Sequence, residues 1–136
     1  MDAFTQEKRS EIMRCVHSEN TTPEIVVRSL LHRLGFRFRL HNKKLSGTPD
    51  IVLQKYKTVI FVHGCFWHRH PNCRRASTPS TREEYWLPKF ERTVSRDKNN
   101  QKILKKAGWN VVVVWECETR KKSVLMKRLK RRIKKP

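Results

Sequence analysis

Four side chains stand out for metal chemistry: Cys65, His70, Cys73 and Cys117. Cys65-x4-His70-x2-Cys73 gathers two thiols and an imidazole in one short stretch, a spacing suited to tetrahedral zinc. Cys117, just after an apolar run, can supply a fourth thiolate. The segment from His63 to about Ser80 has almost no apolar residues to pack with, so a metal clip would account for how it is held. The many Arg and Lys nearby favour deprotonated thiols. Surface histidines and ordinary buried cysteines are the alternative. A site closed by thiolates and imidazole keeps no open position, so this zinc would be structural. Cys15 falls on an expected helix face and reads as a core thiol.

A second set of groups suits phosphodiester chemistry. Asp50 follows a Gly-x-Pro turn and starts a strand, which leaves its carboxylate at the sheet edge, where a hard divalent cation such as Mg²⁺ can bind. A simple turn aspartate is the competing explanation. His63 and His68 flank Cys65, and an imidazole free of metal titrates near neutrality and can move a proton at a phosphate. Glu24 lies in the first turn of a helix, where the helix dipole alone is reason enough for an acid. Such groups around one phosphate would make a metal-assisted nuclease. Phe66-Trp67 and Tyr85-Trp86 place large rings among basic residues. They can wedge between base pairs or form a small satellite core. Trp109 and Trp115 belong to the strand region and the core.

Periodicity predicts the elements that position these groups. Thr5 to about His17 reads as a weakly patterned helix with Ile12 and Val16 on one face. Thr22-Pro23-Glu24 supplies a cap, a proline at the first helical position and a first-turn acid. Val26, Leu30 and Leu34 follow, with Val27 and Leu31 beside them, and Gly35 stops the helix. Phe36 to Leu40 alternates with arginine as a strand does. Ser46-Gly47-Thr48-Pro49 is a turn, and Asp50–Leu53 with Thr58–Val62 forms a hairpin. Helix returns at Arg82, is interrupted at Pro88 and runs to Ala107, with Gly108 as its stop. Val111 to Trp115 reads as a strand buried on both faces. The order α-α-β-β-β-α-β-α predicts an α/β sandwich with a mixed sheet whose central strands are the apolar ones.

The chain has 136 residues, which is one ordinary domain, and 37% hydrophobic residues, enough for one modest core. Lys plus Arg is 32 against 12 acids, a net charge of +20. Like charges repel in the compact state unless a polyanion neutralises them. Nucleic acid is the economical partner, although an anionic membrane or a ribosome would answer the same charge. Residues 120–136 hold ten basic residues and no acid. Leu125, Leu129 and Ile133 recur there at spacing four, so an amphipathic basic helix and a solvated end both fit. No run approaches the about 20 apolar residues of a bilayer helix, and MDAFTQEKRSEI lacks the apolar stretch of a secretory signal.

These residues together resemble the very-short-patch repair (Vsr) DNA mismatch endonucleases. The segments that carry the likeness are MRCVHSENTTPEIVVRSLLHRLGFRFRLH, GTPDIV, VIFVHGCFWHRHPNC, TREEYWLPKF, Arg96-Asp97 and GWNVVVVWEC, and FVHGCFWH with the Cys-His-Cys cluster and a late WEC is highly specific. The likeness spans roughly Arg9 to Cys117 and implies a restriction-endonuclease-like fold of the PD-(D/E)xK type with a structural zinc site; no role carries over to the tail beyond Cys117. The chain reads as one endonuclease domain over residues 1–136, with a helical arm over 1–20 and a basic segment over 118–136. The resemblance implies a Mg²⁺-dependent nick 5′ to the thymine of a T·G mismatch left by deaminated 5-methylcytosine. It implies Asp50 and the backbone carbonyl of Val62 as Mg²⁺ ligands, His68 as general acid/base, and His63 and Glu24 in support. Cys65, His70, Cys73 and Cys117 become zinc ligands. Phe66, Trp67 and Trp86 enter the base stack, and Lys89 and Arg96 contact DNA. It implies a monomer in the bacterial cytoplasm, at the nucleoid, linked in function to mismatch-repair proteins and a cytosine-5 methyltransferase. No Glu-x-Lys follows Asp50 on the next strand, in keeping with the histidine arrangement of that family. Thr93 stands where relatives commonly have Asn, and Ser46 where Pro usually precedes the glycine turn. A related restriction-type nuclease and a non-enzymatic zinc-stabilised nucleic-acid module are the competing readings. The second leaves Asp50 and His68 idle.

Overall fold

A computed structural model describes residues 21–77 and 81–133. The expected helix over 5–17, with Cys15 and the 1–20 arm, lies outside the described residues. The first described helix, α1 (Thr22–Arg33), is capped one residue earlier than the sequence suggested: Thr21 Oγ1 accepts from the Glu24 N–H at 3.4 Å, and Pro23 sits at the second helical position. The expected strand over 36–40 narrows to β1 (Arg39–Leu40), because Phe36 and Phe38 turn inward to pack against the core. Phe36 meets Tyr56 edge to face, and Phe38 stacks on His32.

β2 (Ile51–Leu53) and β3 (Thr58–His63) form the expected antiparallel hairpin. Its turn is closed by Lys57 in the left-handed region at φ 49°. α2 (Glu83–Lys106) then crosses over to β4 (Asn110–Trp115), which pairs with β3 in parallel. The sheet order is β1-β2-β3-β4, with β1 and β2 antiparallel. No helix among the described residues is long and apolar enough to cross a membrane.

Strand alternation divides the core between two faces. Ile51, Leu53, Ile60, Val112 and Val114 face α1 and the C-terminal helix α3 (Lys122–Arg132) through Val27, Leu30, Leu31, Leu125, Leu129 and Ile133. Val52, Val59, Phe61 and Val111 face the other way, against Leu104 of α2. The predicted α/β sandwich with a mixed sheet is therefore what forms, and Lys122–Arg132 of the tail is an ordered helix.

Two expectations are corrected. Pro88 does not interrupt α2. The residue is exposed, so the carbonyl its ring leaves unpaired lies near water. The apolar run of β4 is not central: among the described residues nothing pairs with its outer edge. Both faces of the strand are nonetheless buried, Val111 on one and Val112 and Val114 on the other, with Val113 half-buried. The outer edge is instead met by α3. Arg128 donates to the Val113 carbonyl at 3.0 Å, and Arg132 to the Val111 carbonyl at 3.1 Å. Glu118 holds Arg128 at 2.9 Å and accepts from the Trp115 N–H at 2.9 Å, which fixes the start of α3.

Leu129 is fully buried and Val124 is 61% exposed on the same helix. Leu129→Ala is expected to lower the unfolding free energy by about 2–5 kcal/mol. Val124→Ala should change it by no more than about 0.5 kcal/mol. Urea unfolding of both variants measures the difference.

Candidate functional site

The groups singled out in the sequence meet at the end of the sheet where β3 stops and β2 starts, in a cleft of about 700 Å³. Its walls come from the start of α1, the turn before β2, the loop after β3 and the middle of α2. Three clusters surround it.

The first joins Asp50, Glu24 and His41, whose ligand atoms lie within 4.8 Å of one another. Asp50 Oδ2 accepts from the Val62 N–H at 2.7 Å, a bond that holds the turn onto β3. Glu24 is 5% exposed. It is more than a dipole partner, because its Oε2 lies 3.1 Å from Arg28 and 3.3 Å from His41 Nε2. Burial pushes the Asp50 carboxyl up to about 7; the Val62 N–H opposes this, and the nearby Glu24 adds to it. Two carboxylates sharing a partly dry cleft carry a repulsion that a divalent cation would remove, and their oxygens are the hard donors Mg²⁺ takes. Val62 lines the same cleft.

The second cluster is His63, His68 and Asp97. His68 Nδ1 donates to Asp97 Oδ2 at 2.6 Å. That bond sets the tautomer and leaves Nε2 as the working nitrogen. His63 stacks on His68 with centroids 3.9 Å apart and planes 6° from parallel. Burial, with His68 beside it, pushes the His63 imidazole down to about 3, against the pull of Asp97. A neutral His63 is therefore a wall that orients its neighbour.

The third cluster is Cys65, His70, Cys73 and Cys117. His70 Nδ1 lies 3.6 Å from Cys65 Sγ and 3.5 Å from Cys117 Sγ. Zinc bonds of about 2.3 Å to sulfur and 2.0–2.1 Å to nitrogen at the tetrahedral angle give a ligand-to-ligand edge of about 3.6 Å. The donor set therefore fits zinc in type and spacing. Burial pushes the Cys65 thiol up to about 12, and the Arg75 N–H holds Cys73 below its ordinary value. His70 is stacked on Trp115, centroids 4.3 Å apart. Arg69 and Asn72 adopt left-handed φ of 54° and 58°, which lets the loop turn tightly enough to converge.

Beside the cleft, Phe66, Trp67, Trp86 and Phe90 pack ring against ring at centroid distances between 5.1 and 5.8 Å. Arg69 lies 4.0 Å over Phe90 and donates to the carbonyls of Phe66, Ala76 and Ser77. Phe66 and Trp67 also line the cleft, as does exposed Arg96. Lys89 sits farther up α2, with Nζ 2.6 Å from the Tyr85 hydroxyl. Thr93 is half-buried on the same helix.

Sequence reasoning gave no role to His41, Asp97 or Asn100, although all three line the cleft. Asp97 had a signal: it is the lone acid between Glu91 and Glu116 in a basic stretch. His41 and Asn100 had none, since each acts through a partner distant in the chain.

Residues 1–75 match the family model described as DNA mismatch endonuclease Vsr. The DNA mismatch endonuclease Vsr of Escherichia coli K12 is 41% identical over 88% of this chain and 76% of its own length. The type II nicking enzyme V.NmeAIP of Neisseria meningitidis is 45% identical over 98% of this chain and 94% of its own. V.XorIIP of Xanthomonas oryzae, also a type II nicking enzyme, is 49% identical over 95% and 94%. Among solved structures, the catalytic domain of the homing endonuclease I-Bth0305I superposes with a TM-score of 0.58 at 20% identity, covering 83% of this chain and 94% of that one. That likeness concerns the fold, and it agrees with a nuclease architecture. The chain belongs to the Vsr family of DNA mismatch endonucleases, and it is a DNA endonuclease.

Proposed function

We propose that the protein nicks one strand of duplex DNA 5′ to the thymine of a T·G mismatch, in a Mg²⁺-dependent reaction that starts very-short-patch repair. The observation that carries this reading is the convergence of Asp50 and the Asp97-held His68 on one cleft walled by Phe66 and Trp67. Asp50 and the Val62 backbone would hold Mg²⁺, with Glu24 beside them. Bound there, the ion supplies charge neutralisation at the scissile phosphate and a more acidic water.

The rest falls to the chain itself. Basic side chains, Lys89 and Arg96 among them, draw the duplex in and hold its phosphates. A T·G pair stacks less well than a Watson–Crick pair, so Phe66, Trp67 and Trp86 can enter there at lower cost than elsewhere. The half-buried ring cluster is rooted on α2 and on the loop after β3, which supports wedging by rings already held in place. His68 moves a proton at the phosphate through Nε2, while Asp97 on Nδ1 fixes the ring. His63 keeps the imidazole plane in position by stacking. Cys65, His70, Cys73 and Cys117 would hold a structural Zn²⁺ that fixes the loop carrying Phe66, Trp67 and His68. The enzyme acts as a monomer in the bacterial cytoplasm, at the nucleoid, alongside mismatch-repair proteins and a cytosine-5 methyltransferase.

Incubation with T·G, fully paired and abasic duplexes in Mg²⁺ should give a nick in the T·G duplex alone. Equal cleavage of the paired duplex would point instead to a restriction-type specificity. Asp50→Ala should abolish nicking and leave duplex binding largely intact. Asp97→Asn should slow single-turnover nicking by about 10²–10⁴-fold. Cys73→Ser, or chelation of wild-type protein, should remove one zinc per chain by metal analysis and lower the melting temperature together with it. A wild-type protein without zinc and with ordinary thermal stability would overturn that assignment.

A further inference from the structure

The second half of α2 carries four lysines with no part in the roles above: Lys98, Lys102, Lys105 and Lys106. All four are exposed, and they line a shallow groove with Gln101, which also lines the reactive cleft. None has a carboxylate within ion-pair reach among the described residues. The sequence explains why: after Asp97 the next acid is Glu116. The helix dipole accounts for Lys105 and Lys106 in the last turn, but not for Lys98 and Lys102. From Lys98 to Lys106 the helix climbs about 12 Å, the axial length of about three to four nucleotides of one strand.

We propose that this face of α2 is a phosphate track for the duplex arm that leaves the cleft. The proposal rests on the reading that the cleft takes duplex DNA, and it names where the flanking backbone lies. Lys98, Lys102, Lys105 and Lys106 are changed together to Gln, and binding of a fully paired duplex is followed by fluorescence anisotropy across a salt series. Affinity should fall about tenfold or more, and the log–log salt slope should become shallower by about 0.9 for each phosphate that the variant no longer neutralises. The same number of charges removed from α3, at Lys122, Lys127, Lys130 and Arg131, serves as the comparison, since α3 packs on the opposite face of the sheet. That variant should keep the wild-type slope. An unchanged slope in the α2 variant overturns the proposal, leaving a solvated face or a protein-docking surface. Equal losses in both variants also overturn it, because only total charge would then matter. Binding to paired duplex needs no cleavage, so a failure of the nicking reading shows separately.

A different hydrogen bond carries a second inference. Ser46 Oγ donates to Asn100 Oδ1 at 2.9 Å. Gly47 has φ +77°, and a Cβ there would lie 2.8 Å from Asn100 Nδ2, so the turn is pressed onto α2 as closely as glycine allows. This is the turn that delivers Asp50, and Asn100 stands one helical turn beyond Asp97. The geometry points to Asn100 as a positioning residue that keeps the Asp50 side of the cleft in register with the Asp97–His68 side. A misplacement of about 1 Å can cost about 10²-fold in rate. Asn100→Ala and Ser46→Ala should each slow single-turnover nicking at saturating T·G duplex by about 10- to 100-fold, with the duplex Kd within about twofold of wild type. Ser46→Thr, which keeps the hydroxyl, should restore the rate. An unchanged rate in a folded Asn100→Ala protein overturns the assignment, as does a parallel loss of binding and melting temperature. Absence of nicking by the wild type would be a failure of the proposed reaction, distinct from either outcome.

Discussion

The parallel register of β3 with β4 is the constraint on which the rest depends. It pairs Val62 with Val114 and His63 with Trp115. A cysteine stands two residues past the end of each strand, so the register brings Cys65 and Cys117 to the same end of the sheet. A slip of one residue would turn the valines of β4 to the wrong face and separate the two sulfurs. The same register sets His63 against Trp115 and Trp115 against His70. Core packing and donor geometry are thus satisfied by a single alignment. The described loop after His63 hangs from that alignment, including Phe66, Trp67 and His68.

Charge is used in two opposed ways. The surface is overwhelmingly cationic, yet four of the chain's twelve acids, Glu24, Asp50, Asp97 and Glu116, line the cleft. Three of them have a defined partner there: Glu24 has Arg28 and His41, Asp50 has the Val62 N–H, and Asp97 has His68. In a basic protein a buried carboxylate is a local inversion of field. The cleft can therefore accept a cation while the surrounding surface accepts a polyanion. The carboxylates would repel a lone phosphate, and the basic surface around them holds the duplex that brings one there.

Much of this was legible in the sequence because it is local. The hairpin of β2 and β3 and the helix over Val26 to Leu31 rest on short apolar runs, turn residues and local periodicity, and they appear where the pattern placed them. The cysteine–histidine spacing and Asp50 after its turn could be read the same way. What could not be read is pairing at a distance. His41 meets Glu24 seventeen residues away, and Asp97 meets His68 twenty-nine away. No spacing rule reports such partners. The edge position of β4 was hidden for a related reason. Its apolar run looks like that of a central strand, and the arginines that cover it belong to a basic tail that a solvated end would explain equally well. Pro88 misled in the other direction, since near the start of a long helix on an exposed face its missing donor costs little.

The guanidinium groups of Arg128 and Arg132 on the outer carbonyls of β4 have a consequence for solubility. An uncovered strand of four consecutive valines is a template for recruiting another chain and for fibrillar stacking. Here the template is stoppered by cations that carry their own mutual repulsion, so two copies cannot zip together along that border. The basic end of the chain thus guards the protein against its own most adhesive segment.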